Sequence, residues 1–223
     1  MRKKPAGARK RILIVDDHPM MRRGLAQLVN QEPDLMACSE AGTAAQALNL
    51  VAARPPDLVL ADLSLPDRNG LELIKDLQVY HPELPVLVVS VHDESFYAER
   101  VLRAGGRGYI MKQEGSRTLM QAIRQVLSGR IYVSERISEK ILEIFSGRRT
   151  EAATSLEELL SDREFEVFQL IGQGKETREI ANYLHLSVKT VEVHRANIRR
   201  KLKLTTSTEL VRHAIRWTEA NSL

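Results

Sequence analysis

The chain has 223 residues, of which 28% are charged and 43% hydrophobic, enough for one large domain or two smaller ones with apolar cores. No apolar run approaches the length of a membrane span. The single cysteine, Cys38, cannot form an internal disulfide bond, so we expect a cytoplasmic protein. Residues 1–10 carry five basic side chains and no acidic one, and we interpret them as a disordered basic tail. Because this tail alone exceeds the net charge of +4, overall basicity is weak evidence for nucleic-acid binding.

Residues 11–130 alternate short apolar runs with amphipathic stretches. The runs have the length and branching of buried strands. They cover residues 12–15, 35–38, 58–61, 86–89 and 108–111. Amphipathic helices are predicted between them, over residues 19–30, 44–53, 70–80, 95–103 and 116–128. Thr43 and Ser116 are placed to cap two of these helices. Five β-α units of this length predict an α/β fold, a parallel, doubly wound sheet with helices on both faces.

Carboxylates stand at the ends of two predicted strands. Asp62 follows residues 58–61, and Asp16 and Asp17 follow residues 12–15. Open parallel sheets bind ligands at the carboxyl ends of their strands, so folding brings these three side chains to one edge. A lone aspartate there is usually a turn cap, but three crowded carboxylates repel one another unless a cation lies between them. An all-oxygen site of this kind suits Mg²⁺.

Two further strands end in polar side chains. Ser90 follows residues 86–89, and Lys112 follows residues 108–111. An ammonium and a hydroxyl beside a metal-bound carboxylate are what a phosphoryl group on that carboxylate requires. Each residue is commonplace alone, since a strand-end serine is usually a turn residue and a lone lysine a surface charge. One such group after each of four strands is hard to obtain by chance.

Residues 11–130 resemble the receiver domain of two-component response regulators. The resemblance implies a flavodoxin-like sheet with strand order 2-1-3-4-5. It also implies that Asp62 accepts a phosphoryl group from a sensor histidine kinase. Asp17 would bind Mg²⁺ directly, Asp16 would act through water, and Ser64 would offer its backbone carbonyl.

By the same resemblance, Ser90 and Tyr109 match the switch pair of the family, and Lys112 matches its motif lysine. Two positions depart from the pattern. Val91 stands where a small residue is usual, and a larger side chain can restrict the access of phosphodonor or water. Gln113 stands where proline is common; a non-proline cis bond costs roughly 2.5–4 kcal/mol, so we expect a trans peptide.

Residues 131–157 differ in character, and we interpret them as a linker. Residues 138–145 can form an amphipathic helix. Its predicted apolar face consists of Ile137, Ile141, Leu142 and Phe145. Residues 146–155 are small and polar, which is typical of a flexible connection. This stretch therefore predicts a domain boundary.

Residues 158–223 form a second domain that is predicted to be entirely helical. Ser161 and Glu164 make a capping box for its first helix. A short second helix starts near Thr177, and Ser187 is placed to cap a third helix that runs from residue 188 to about residue 202. A short helix, a tight turn and a longer helix form the helix-turn-helix pattern.

The third helix carries a strongly basic face. Val191, Ile198 and Leu202 share its predicted core-facing side. Segment 189–203 holds six basic residues and one acidic residue, a local charge of +5. An ordinary solvated face would normally mix the two signs, so this segment favours contact with nucleic acid.

The second domain resembles the LuxR-type helix-turn-helix. The matching segments are Ser161 to Glu164, Glu179 to Ala181, Leu186 to Ser187, Thr190 to Ile198, and Lys201 to Leu202. With the receiver domain, the resemblance implies a response regulator of the NarL/FixJ group that binds double-stranded DNA at two half-sites. The predicted DNA contacts are Lys189, Thr190, Glu192, Val193, Ala196, Asn197, Arg199, Arg200 and Lys203.

A fourth helix pairs two DNA-binding domains in this family, and we expect a homodimer on activation. Thr206 and Glu209 are predicted to form a capping box at the start of this helix. The predicted dimerisation residues are Leu210, Val211 and Ala214. An alternative stays open, in which residues such as Val211 and Trp217 only close the core of their own domain.

Two functions from other classes share parts of this pattern. An aspartate nucleophile with Mg²⁺ also defines phosphatases of the haloacid-dehalogenase type, but these need a second aspartate two residues on, where Ser64 stands. The other is an interaction protein whose receiver docks a partner without phosphorylation, and the complete site argues against it. We therefore expect that the protein is not a turnover enzyme. We also expect no membrane partner.

Overall fold

The computed structural model describes residues 9–145 and 159–221, and the chain divides into two compact units, Met1–Arg149 and Thr150–Leu223. Residues 1–8 of the predicted tail and the whole predicted flexible linker, 146–155, lie outside the described residues. Within residues 9–145 and 159–221, no helix is long and apolar enough to cross a membrane.

The first unit is a five-stranded parallel sheet with strand order β2-β1-β3-β4-β5. Its strands are β1 (Lys10–Val15), β2 (Leu35–Ala41), β3 (Leu58–Ala61), β4 (Val86–Ser90) and β5 (Gly108–Met111). Its helices are α1 (Pro19–Gln31), α2 (Ala44–Ala53), α3 (Gly70–Tyr80), α4 (Glu94–Arg103), α5 (Ser116–Leu127) and α6 (Glu135–Phe145). The predicted flavodoxin-like order is confirmed.

The central strands are apolar along their length because helices cover both faces of the sheet. Residues 12–15 and 58–61 are almost completely buried. Strand β1 pairs with β3 so that Val15 lies opposite Ala61. The residues that follow these two strands therefore meet at one edge.

Several boundaries differ from the predictions, for local reasons. Arg9 donates a hydrogen bond to the Leu35 carbonyl at 2.6 Å, so the end of the predicted tail is part of the fold. The oxygen of Thr43 caps α2 as predicted. Ser116 does not cap α5, because Gly115 occupies the N-cap position and Ser116 is the first helical residue. Helix α4 begins one residue early because Asp93 accepts a hydrogen bond from the Ser95 amide at 2.8 Å.

Residues that follow β5 and α5 stay attached to the first unit. Tyr132 forms a parallel bridge with Gly108 on the outer edge of β5. Helix α6 then packs against α4. It begins at Glu135 rather than at residue 138 because the Ser134 hydroxyl accepts a hydrogen bond from the Ile137 amide at 3.3 Å. The predicted apolar face is buried at Ile137 but not at Leu142, which is 68% exposed.

The part of the second unit that the structure describes has four main helices. They are α7 (Asp162–Gly172), α8 (Thr177–Tyr183), α9 (Val188–Lys201) and α10 (Ser207–Asn221). The capping box of Ser161 and Glu164 is present. Helix α7 packs against both α9 and α10. Trp217 meets Phe165 and Phe168 edge-on, with ring centroids 5.4 and 5.8 Å apart.

Helices α7, α8 and α9 end in the same way. The residue after each C-cap has a positive φ, at Gly174 (79°), His185 (52°) and Lys203 (55°). In α8, the Leu186 amide donates to the Ala181 carbonyl at 2.8 Å. This left-handed cap satisfies the last carbonyls of a helix and turns the chain sharply. It makes the tight turn of the helix-turn-helix at His185.

Candidate functional site

Four potential metal ligands converge at the carboxyl ends of β1 and β3. The Asp62 amide donates to the Val15 carbonyl at 2.8 Å, which brings residue 62 beside the end of β1. Ligand atoms of Asp16, Asp17, His18 and Asp62 all lie within 4.8 Å of one another. The predicted acidic cluster is therefore formed.

Lys112 reaches this cluster from the end of β5. Its Nζ lies 2.7 Å from Asp16 Oδ2 and 2.7 Å from Asp62 Oδ2, and its side chain is only 7% exposed. Burial opposes the charged ammonium, but the negative charge of Asp62 and the hydrogen bonds to both aspartates outweigh it and raise the pKa of Lys112. The lysine therefore stays cationic beside Asp62.

Backbone amides fix the other oxygens of the two buried carboxylates. Asp16 Oδ1 accepts a hydrogen bond from the His18 amide at 2.8 Å. Asp62 Oδ1 accepts one from the Leu63 amide at 2.7 Å. Each carboxylate is thus held between an amide and the lysine, in a fixed orientation.

The donor set fits a hard divalent cation. Three carboxylates face a single ammonium, which leaves an excess of negative charge in a small volume. Carboxylate oxygens are the ligands that Mg²⁺ prefers, and this ion keeps several of its waters. His18 Nδ1 lies 2.5 Å from Asp17 Oδ1. Sequence reasoning missed His18, although its position directly after two aspartates was a usable signal.

The loop after β3 is shaped around Asp62. A Cβ added to Gly70 would lie 2.3 Å from the Asp62 carbonyl oxygen, so only glycine allows the loop to return this closely. Across the site, Ser64 Oγ lies 2.9 Å from His92 Nε2. This bridge between the loops after β3 and β4 was not predicted, since nothing in the sequence links residues 28 positions apart.

The predicted switch residues lie on the adjacent strands β4 and β5: Ser90 is the last residue of β4, and Tyr109 is the second residue of β5. Ser90 and Tyr109 are both fully buried. The Tyr109 hydroxyl donates to the His92 carbonyl at 2.8 Å, and burial raises the pKa of Tyr109.

The two positions that depart from the family pattern lie beside the site. Val91 is 59% exposed. No cis peptide occurs within the described residues, so the bond between Lys112 and Gln113 is trans, as expected.

The basic face predicted on the third helix lies on α9. Ser187 caps this helix by accepting a hydrogen bond from the Thr190 amide at 3.0 Å. Val191 and Ile198 are fully buried, as predicted, whereas Leu202 is half-buried. Lys189, Glu192, Val193, Ala196, Arg200 and Lys203 are exposed, and Thr190, Asn197 and Arg199 are half-buried.

Some residues that are predicted to contact DNA also form hydrogen bonds within the domain. The Glu192 carboxylate accepts a hydrogen bond from the Thr177 hydroxyl at 3.0 Å, which ties α9 to the start of α8. Asn197 Oδ1 accepts one from Arg200 at 3.3 Å. Both residues remain on the face that carries the exposed basic side chains.

The predicted dimerisation residues need a correction. Leu210 and Ala214 are fully buried, and α10 lies so close to α7 that a Cβ on Gly172 would be 2.7 Å from the Ala214 carbonyl. These two residues belong to the core of their own domain, so their side chains are not available to a partner. Val211 is half-buried. The predicted capping box at the start of α10 is present. The Glu209 amide donates to the Thr206 hydroxyl at 3.1 Å, and the Thr206 amide donates to the Glu209 carboxylate at 3.2 Å.

Two family models match the chain. Residues 12–124 match the response regulator receiver domain, and residues 158–214 match the bacterial regulatory proteins of the luxR family. The chain is 35% identical to the oxygen regulatory protein NreC of Staphylococcus aureus over 210 residues, which cover 92% of this chain and 97% of NreC.

Solved structures agree with these matches. A LuxR-family response regulator from Aurantimonas sp. SI85-9A1 is 32% identical with a TM-score of 0.58, and the match covers 62% of this chain and 99% of that one. RcsB, in a structure of two dimers bound to two parallel DNAs, is 25% identical with a TM-score of 0.57, over 92% of this chain and 97% of RcsB.

A receiver domain followed by a LuxR-type helix-turn-helix is the architecture of a DNA-binding response regulator. The chain belongs to this family of two-component transcription regulators.

Proposed function

We propose that Asp62 is the phosphoacceptor of this response regulator and takes its phosphoryl group from the phosphohistidine of a sensor kinase. An Asp62 carboxylate oxygen forms the new bond to phosphorus while the nitrogen–phosphorus bond of the phosphohistidine breaks. The observation that carries this proposal is the buried Asp62 carboxylate, 2.7 Å from Lys112 Nζ and beside two further carboxylates. The phosphoryl group stays on the protein's own aspartate, so the chain is not a turnover enzyme.

The acidic cluster supports Mg²⁺ as the cofactor of this transfer. Asp16, Asp17, Asp62 and the backbone carbonyl of Ser64 are the residues that would hold it. When bound, Mg²⁺ supplies positive charge beside the phosphoryl oxygens. Lys112 is the second positive charge available to these oxygens.

Ser90 and Tyr109 are the proposed switch pair. The Ser90 hydroxyl would donate a hydrogen bond to the phosphoryl group, which adds roughly −1.5 to −2 charges to the site. Such a group shifts a conformational equilibrium only by as much as it stabilises one state over the other. The Tyr109 hydroxyl is hydrogen-bonded to the backbone carbonyl of His92, in the loop that follows Ser90. Tyr109 is therefore the side chain through which that loop would couple to the rest of the domain.

For DNA recognition we propose that α9 enters the major groove. Lys189, at its amino end, would reach base edges, while Arg199, Arg200 and Lys203 would meet phosphates. Val193 and Ala196 would contact thymine methyl groups. The exposed basic face supports this, as does the binding of RcsB dimers to DNA. A homodimer would require two half-sites about one helical turn apart.

One experiment tests the function as a whole. Duplexes are selected from a random-sequence library by the full chain in the presence of acetyl phosphate and Mg²⁺. We expect phosphorylated wild-type protein to bind the selected duplexes more tightly than unphosphorylated protein. Asp62→Asn should gain neither affinity nor, in intact-mass measurement, the mass of a phosphoryl group. Continued labelling of this variant would place the acceptor at another residue.

A further inference from the structure

The basic residues at the carboxyl end of α9 are not equivalent. Arg200 and Lys203 are exposed. Lys201, between them, has its Nζ 2.5 Å from Glu164 Oε2, and the two side chains are 34% and 6% exposed. Its charge therefore already has a partner inside the domain.

Glu164 connects two helices through one carboxylate. Its Oε2 accepts a hydrogen bond from the Ser161 amide at 2.8 Å, which closes the capping box of α7. The same oxygen meets the ammonium from the last turn of α9. A carboxylate buried to this degree is costly unless it is paired, and a cation near a helix C-terminus is favourable. The pair thus fastens the end of α9 to the start of α7.

We propose that Lys201 is a positioning residue for DNA recognition, which acts through Glu164 and not through a DNA phosphate. The inference rests on the proposed entry of α9 into the major groove. Its physical content is that α9 is held near both ends from within the domain, by the contact of Thr177 with Glu192 and by that of Glu164 with Lys201. Without the Glu164–Lys201 pair, the exposed side chains proposed to contact DNA are still present, but the helix can change its angle.

Paired variants separate positioning from phosphate contact. Lys201→Met removes the ammonium and keeps most of the apolar stem, but leaves the buried Glu164 charge without its lysine. Glu164→Gln removes that charge and keeps an oxygen that can accept from the Ser161 amide. Combining the two restores a neutral and hydrogen-bonded environment. A positioning lysine can be rescued by Glu164→Gln, whereas a phosphate contact cannot.

The experiment measures binding of the full-length variants to a duplex selected by the wild-type chain and to a scrambled duplex, over a series of salt concentrations. Lys203→Met is the control, since Lys203 is exposed two positions beyond the end of the helix. The slope of log affinity against log salt concentration counts phosphate contacts, and the control should lower it by about one.

For Lys201→Met we expect a loss of about tenfold or more on the selected duplex, a smaller loss on the scrambled one, and an unchanged salt slope. The double variant should recover to within about threefold of wild type. Wild-type affinity in Lys201→Met, a salt slope lowered by about one, or failure of the double variant to recover would each overturn the positioning role. If wild-type protein itself selects no duplex, the proposed function fails, a result separate from the behaviour of the variants.

Discussion

Burial has opposite meanings in the two units of this molecule. In the receiver unit, the proposed functional groups are the buried ones: Asp62, Ser90 and Lys112 lie at the ends of covered strands. In the helical unit, most of the proposed DNA contacts are exposed, on α9 or just beyond it, and the buried Glu164 and Leu210 hold the framework.

The charge balance explains the difference. The receiver cluster sets three carboxylates against one ammonium, a surplus that a cation from solution can offset. In the described part of the helical unit, the buried carboxylates Glu164 and Glu166 each have a basic partner. Glu166 pairs with Arg163 at 2.7 Å, and Glu164 pairs with Lys201. A buried surplus of one sign thus indicates a binding site, while a balanced pair indicates structure.

The largest effect is expected from a substitution that reduces the surplus of negative charge in the receiver cluster. Asp17→Asn removes one charge and one proposed ligand from the receiver cluster. We expect Mg²⁺ affinity to fall by more than about tenfold, because loss of even an outer partner of a metal ligand costs about 10–100-fold. Phosphoryl labelling at limiting Mg²⁺ should be lost with it.

Titration calorimetry with Mg²⁺ and intact-mass measurement after incubation with acetyl phosphate test this prediction. Asp57→Asn is a matched control, because Asp57 pairs with Lys10 at 2.9 Å and is not part of the metal cluster. Equal Mg²⁺ affinity in Asp17→Asn and wild type would refute the idea that the surplus marks the metal site.

The second prediction concerns the correction on α10. Leu210→Ala removes a fully buried side chain, and we expect the free energy of unfolding of its domain to fall by about 2–5 kcal/mol. The only tryptophan of the chain, Trp217, lies in this domain, so tryptophan fluorescence during denaturation reports on this unit in the full-length protein. Val211→Ala, at a half-buried position, should cost clearly less. A fluorescence transition unchanged by Leu210→Ala would return Leu210 to the role of an interface residue.

The Leu210 case also shows how far sequence reasoning reaches. Apolar runs predicted all five strands, and parallel order then brought Asp16, Asp62, Ser90 and Lys112 to one edge, because sheet topology leaves little freedom there. A helical wheel, in contrast, shows which residues share a face but not what covers that face. It therefore could not separate a domain core from a dimer interface at Leu210.

Contacts between distant loops and helices were equally out of reach. The contact of Ser64 with His92 and that of Glu164 with Lys201 join residues 28 and 37 positions apart. A count of charges treated Lys201 as one more member of a basic run. Only the packing of α7 against α9 reveals that its charge is already matched.

The third prediction separates two kinds of exposed residue on α9. Lys189→Ala should cost about 1–3 kcal/mol on a selected duplex and relax the preference at one base pair, because Lys189 would read a base edge. Arg200→Ala should weaken binding to all sequences alike and reduce the salt slope by about one. Titrations against matched and scrambled duplexes at several salt concentrations distinguish the two. If Lys189→Ala weakens binding to both duplexes equally, Lys189 is not a base reader.

The smallest expected effect is a dependence of stability on pH in the helical unit. Burial alone would raise the pKa of Glu164, but hydrogen bonds from Lys201 and Ser161 outweigh it and hold this pKa below its ordinary value of 4.5. Since the folded state binds this proton more weakly than the unfolded state, Glu164 contributes stability above pH 4.5, and that contribution is lost as the pH falls through its folded pKa. We therefore expect the stability difference between wild type and Glu164→Gln, followed by Trp217 fluorescence from pH 7 downwards, to shrink below about pH 4.5. Comparing the two proteins at each pH cancels the titration of the other carboxylates, such as Glu209, whose pKa is also lowered. A difference that stays constant across the acid range would mean that the charge of Glu164 does not stabilise the domain, and the balanced pair would then be a matter of geometry alone.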